Sequence, residues 1–259
     1  MSQVLKAAFA AGCCLLSASG FAQFGAPQSE LQRQVVEAMQ SDIRTDAERA
    51  RDRNRQAPQV LEFFQLRPDM RVLEILPFSG WYTKILAPIL AEEGALYVTH
   101  PSPTFYSEAF GPVSELPGLE AVEEIDWNGT PPSNGNPFFA PGRWDVEPLD
   151  LVLTFRNYHN FGAAERTAMN DSVFQSLRPG GLYGVVDHTR RHMEPNSSEN
   201  GRRVDPVMLI KEIQAAGFEL VDYSATLRRP DDELRYEVGR QSVSGNSDRF
   251  TLLFKRPED

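Results

Sequence analysis

The sequence predicts an α/β domain: a mostly parallel sheet with helices on both faces and a final antiparallel strand. Three observations carry this. Short apolar runs of strand length alternate with segments of helical period, the run Arg71 to Leu76 passes into a helix within a few residues, and two strand-like runs close the chain with no helix between them. A chain of 259 residues, 41% hydrophobic and 24% charged, suits one globular core rather than a disordered or fibrous protein.

Residues 1–22 stand apart from that domain. Lys6 precedes the apolar stretch Ala7 to Leu16, and Gly20-Phe21-Ala22 forms a small-x-small cleavage site, so the segment reads as a secretory signal with the mature chain starting near Gln23. The stretch is too short to span a bilayer, so no stable membrane span is expected. Both cysteines, Cys13 and Cys14, lie in it, and the mature chain therefore forms no disulfide. The formal charge is −10, and the acidic balance argues against nucleic acid as the main partner, because phosphate contacts need a basic face.

Residues 23–56 read as an N-terminal helical segment and residues 57–259 as the domain. Leu31, Val35, Val36, Met39 and Ile43 recur at helical spacing, and the stretch ends in the charge run Arg51-Asp52-Arg53-Asn54-Arg55. That run is either a solvated helix face or a lid of charges over a site. Pro58 opens a helix to Phe64, and Pro68 stops it before the first strand. A helix over Ser79 to Leu90 follows that strand, closed by Gly94, and Ala95 to Thr99 is the second strand. The third is placed at Leu119 to Ile125. Trp127 to Glu147 is a long irregular stretch rich in Pro, Gly and Asn, expected to be a flap over the site or an ordered decoration. Leu149 to Phe155 is the fourth strand, Ala163 to Leu177 a helix, Leu182 to Val186 the fifth strand, and Pro206 to Ala216 the last helix. Strands near Phe218 to Ser224 and Arg249 to Lys255 finish the chain.

This order of elements, with VLEILPFSGWYTKILAPIL, LVLTFRNYHNF, GLYGVVDH and DRFTLLFKRP, resembles the seven-stranded, Rossmann-like fold of class I S-adenosylmethionine-dependent methyltransferases. More narrowly it resembles a bacterial family of predicted methyltransferases, many of them exported, which with the signal implies the periplasm. The resemblance covers about Arg51 to Pro257. It implies S-adenosylmethionine as cofactor, a small-molecule substrate and cofactor contacts from Glu74, Ser79, Gly80, Trp81 and Tyr82. The ends of the following strands add His100, Asp126 and Phe155 to that set. Leu76 and Phe78 stand where the general pattern has glycine, which brings β-carbons close to the ligand and predicts weak cofactor binding.

Methyl transfer to oxygen or nitrogen needs a base, and His159, just past the fourth strand, is the candidate. Arg156 and Asn157 beside it can orient an anionic or polar acceptor. Trp81 and its neighbours also fit plain helix-to-sheet packing. An alternative gathers His100, His159, His188 and His192 with Asp126 or Asp187 around a metal, although no local ligand spacing supports it and no residue is assigned to a metal. A third reading is a non-catalytic binding protein on a degenerate methyltransferase fold. The sequence sets no oligomeric state.

Overall fold

The computed structural model describes residues 29–101 and 113–258, so the signal segment and the proposed mature start lie outside the described residues. At the centre of the sheet, β1 (Arg71–Ile75) pairs in parallel with β2 (Ala95–His100) on one side. On its other side it pairs in parallel with β4 (Leu149–Phe155). Outside β2 lies β3 (Glu123–Asp126), and outside β4 lies β5 (Leu177–His188), both parallel to their neighbours. The closing pair follows: β7 (Arg249–Lys255) runs antiparallel to β5 and is flanked by β6 (Glu219–Ser224). The seven-stranded order is β3-β2-β1-β4-β5-β7-β6, with β7 alone reversed. Strand order changes direction between β1 and β4, and such a switch point opens a crevice at the carboxyl ends of the strands.

Among the described residues the N-terminal segment carries three helices. Ser29 caps α1 (Glu30–Met39), and a capping box between Thr45 and Glu48 starts α2 (Asp46–Arg49) afresh. Then come α3 (Asp52–Arg55), which ends on left-handed Gln56, and α4 (Ala57–Phe63), with proline in its first turn. These helices are built into the domain. Val35, Ala38 and Met39 share one buried cluster with Leu61 and with Ile85 and Leu86 of α5 (Thr83–Leu90). On the opposite face, α6 (Ala163–Ser176) and α7 (Pro206–Ala215) bury Met169, Val173, Leu209 and Ile213. No described helix is long and apolar enough to cross a membrane.

Three element starts shift by several residues from the sequence reading, each for a local reason. Leu119 and Val122 are buried, yet they reach the core from tight turns, and β3 begins only at Glu123 as a charged edge strand. Pro179-Gly180-Gly181 does not delay β5 until Leu182, because a register shift between Leu149 and Leu151 absorbs it and Leu177 already pairs with Leu149. The helix after β1 starts at Thr83 rather than Ser79, since Gly80 is still left-handed at φ 73°. The stretch Trp127 to Glu147 is the ordered decoration. Trp127 Nε1 donates to Phe139 O at 3.0 Å, and Trp127, Phe139 and Trp144 are all buried against the α6 face.

Candidate active site

The turn after β1 alternates left-handed residues: Leu76 at φ 53°, Phe78 at 52° and Gly80 at 73°. That conformation costs about 1–2 kcal/mol for a residue with a β-carbon, so something must hold it. The Leu76 side chain is buried and that of Phe78 half-buried, both against the cluster containing Trp127 and Phe139. Asn157, following β4, adds a brace: its Nδ2 donates to the carbonyl oxygens of Ile75 at 2.9 Å and Leu76 at 3.2 Å. Its amide nitrogen is thereby committed to the turn rather than pointed at an acceptor. The turn thus takes left-handed backbone at three alternate positions with a single glycine. At Gly80 an added Cβ would meet only ordinary contacts at 3.5 Å and 3.6 Å, so the φ alone calls for glycine there.

Beyond the turn, no described main-chain carbonyl accepts from the N–H of Trp81, Tyr82 or Thr83, as expected at a helix start. Ser79 is exposed and, with Arg51, Arg55, Trp81 and Lys84, lines a surface cavity of about 390 Å³. Beneath α5, Glu74 accepts from Thr83 Oγ1 at 2.7 Å and is 3% exposed. Burial pushes its carboxyl up to about 7, against the Thr83 hydrogen bond and the Arg55 charge, which both favour the anion.

Three aromatic residues expected at the cofactor are built into packing. Tyr82 stacks on Phe155 with ring centroids 3.5 Å apart, and both side chains are buried. Trp81 Nε1 donates to Glu48 O at 2.9 Å, and the Arg55 guanidinium sits 4.4 Å from its ring centroid. Within the charge run 51–55, Arg51 and Arg53 are exposed, whereas Asp52 pairs with Arg44 and Arg55 lies over Trp81.

At the ends of β2 and β3, His100 and Asp126 face each other in register. Asp126 is exposed, and His100 Nε2 lies 3.9 Å from Glu124 Oε2. Burial lowers the His100 pKa below the usual imidazole value, against the Glu124 charge, which raises it.

His159 lies in a single helical turn after β4 and pairs with Asp187 near the end of β5. Nδ1 is 2.7 Å from Asp187 Oδ1, and the His159 N–H donates to Oδ2 at 3.0 Å. Asp187 is fully buried and also accepts from the His188 N–H. Its carboxylate therefore fixes the ring at Nδ1, and Nε2 has no hydrogen-bond partner among the described residues. Tyr158 next to it is pinned through its hydroxyl, which donates to Glu212 Oε2 at 2.8 Å and accepts from Asn170. Burial and the nearby Arg249 and Arg156 charges hold the His188 pKa well below the ordinary value. Arg156 is left-handed at φ 63°, half-buried, and donates its N–H to Val186 O at 2.6 Å.

The four histidines do not converge. β1 and β4 separate His100 from the His159–His188 pair, and His192 is bonded to Asp205 at 2.9 Å. No group of three His, Cys, Asp or Glu side chains suited to a metal occurs among the described residues. Thr83, Arg55 and Arg249 went unnoticed as site residues in the sequence. Only Arg55 carried a signal, in the charge run.

No protein-family model matches the chain, and no curated relative matches it in sequence. Solved structures do match. The cyclase SpnF is 14% identical over 88% of this chain and 94% of its own, with a TM-score of 0.56. A SAM-dependent methyltransferase from Aquifex aeolicus is 16% identical over 76% and 88%, at 0.52. The glycopeptide N-methyltransferase MtfA, in complex with sinefungin, is 13% identical over 79% and 86%, at 0.51. The fold is that of the class I S-adenosylmethionine-dependent methyltransferases.

Proposed function

We propose that the chain is an S-adenosylmethionine-dependent methyltransferase acting on a small molecule, with His159 as the base. The supporting observation is the turn from Leu76 to Gly80, which keeps left-handed backbone at alternate positions even where it carries Leu and Phe. On this reading the free amides at the start of α5, with Ser79 and Gly80, hold the cofactor, and His100 and Asp126 meet its polar groups from the neighbouring strand ends. Glu74, Trp81, Tyr82 and Phe155 form the floor beneath. S-adenosylmethionine, when bound, supplies the methyl group on a sulfonium centre. Asp187 holds the His159 Nδ1–H and leaves Nε2 to take the acceptor's proton. Export to the periplasm is part of the proposal and rests on residues 1–22.

Calorimetry with S-adenosylhomocysteine tests cofactor binding directly, and its absence would end the reading. His159→Gln is expected to keep cofactor affinity while lowering turnover by about a hundredfold or more, the range for losing a general base. Full turnover in that variant would remove His159 from the chemistry.

A further inference from the structure

Three arginines lie near the Asp187–His159 pair: Arg55, Arg156 and Arg249 repel one another, and the charges of Arg156 and Arg249 act on His188. Arg249 opens β7 opposite His188, and its Nη1 donates to Asn54 O at 2.6 Å. The next residue, Arg55, lies over Trp81 at 4.4 Å and Tyr82 at 5.9 Å, and its carbonyl accepts from the Tyr82 hydroxyl at 3.3 Å. Tyr82 stacks on Phe155, whose neighbour is Arg156. The His159 and His188 rings, 5.8 Å apart, border the same place.

No described carboxylate forms an ion pair with Arg55, Arg156 or Arg249, although buried arginines elsewhere in the chain have theirs: Arg203 pairs with Asp232 and Arg44 with Asp52. Arg55 is 8% exposed and Arg249 6%. Arg249 Nε is buried with no partner, and neither Arg55 nor Arg156 has a side-chain hydrogen bond among the described residues. The acid that attracts Arg156 most, Asp187, already accepts three hydrogen bonds from His159 and His188. Burial, and repulsion from nearby arginines, lower all three guanidinium pKa values, Arg55 to about 8 and Arg249 to about 10. Buried like charges without an ion-paired partner are costly, and arginine's planar fork matches a carboxylate or phosphate through paired hydrogen bonds.

We infer that Arg55, Arg156 and Arg249 form an oxyanion site that takes a carboxylate or phosphate group of the acceptor and sets the acceptor beside His159. The word acceptor rests on the methyltransferase reading; the anion site itself does not. The other source of the same chemistry is the cofactor's own carboxylate, and the test separates the two.

Thermal unfolding is followed in inorganic phosphate and in malonate, each against sodium chloride of equal ionic strength. One of the two anions at about a hundred times its dissociation constant is expected to raise Tm by about 5 °C or more. The shift is expected to vanish in Arg156→Met and Arg249→Met and to shrink in Arg156→Lys, which keeps the charge but not the fork. Both methionine variants are expected to melt no lower than the parent without anion, since each removes a charge that has no ion pair, buried at Arg249 and half-buried at Arg156, and this reports that they fold. A shift that survives both substitutions, or none with either anion, overturns the site. Calorimetry of Arg156→Met with S-adenosylhomocysteine and with methylthioadenosine, which lacks the carboxylate, gives the second arm. Unchanged affinity for both supports the acceptor assignment, and a selective loss of S-adenosylhomocysteine overturns it in favour of the cofactor. Should the protein bind no cofactor at all, the methyltransferase reading fails while the arginine-dependent shift still stands or falls by itself.

Discussion

Glu74 makes the turn after β1 testable through pH. Its carboxyl is 3% exposed, accepts from Thr83 Oγ1 at 2.7 Å, and is pushed by burial from 4.5 to about 7. A carboxyl with a raised folded-state pKa binds its proton more tightly folded than unfolded. Between about 4.5 and about 7 the native state therefore holds more protons, and stability falls as pH rises through that window. The contribution is fully present below about 4.5 and lost above about 7. Two to three pKa units at about 1.4 kcal/mol each amount to about 3 kcal/mol, of which about 2–3 kcal/mol falls between pH near 5 and pH near 8. Glu74→Gln keeps the size and a hydrogen-bonding partner for Thr83 but cannot ionise. Urea denaturation of both proteins at the two pH values isolates the effect, because every other titrating group cancels in the comparison. The parent is expected to lose about 2–3 kcal/mol more than the variant on going to the higher pH. Equal pH dependence in the two proteins would show that Glu74 titrates normally and that its burial under α5 is wrong.

The brace on the turn is open to a similar measurement. Asn157→Leu leaves the buried carbonyls of Ile75 and Leu76 without their shared donor and is expected to cost about 1–3 kcal/mol, read as a lower urea midpoint with unchanged slope. Export is checked by mass: protein from an expressing bacterium should be found in the periplasmic fraction with a chain starting near Gln23, and a full-length cytosolic product would reject the signal.

What could be read from the sequence was whatever local pattern decides. β4 and β7 appear at the expected residues because each is a single apolar run between polar ends. β3 and the start of β5 were misplaced because buried leucines in turns, and a bulge beside a Pro-Gly-Gly stretch, give the same local pattern as strand and stop. The site divides in the same way. The position of His159 just past β4 was legible, whereas its partner Asp187 is brought to it only by the pairing of Phe155 with Val186, and no spacing along the chain carries that register. The three arginines of the inferred anion site come from α3, the residue after β4 and the start of β7, which only the tertiary fold brings near one another. The turn marks the limit of reading backbone shape from residue type. Leu76 and Phe78 appear unfit for left-handed positions, and about 1–2 kcal/mol of strain at each is a real cost. Core burial of one side chain, partial burial of the other and the Asn157 brace supply compensation of the same order. A turn held this way is fixed by its surroundings rather than by glycine. Its shape should therefore depend on Asn157 and on the packing around Trp127 and Phe139, residues far from it in the chain.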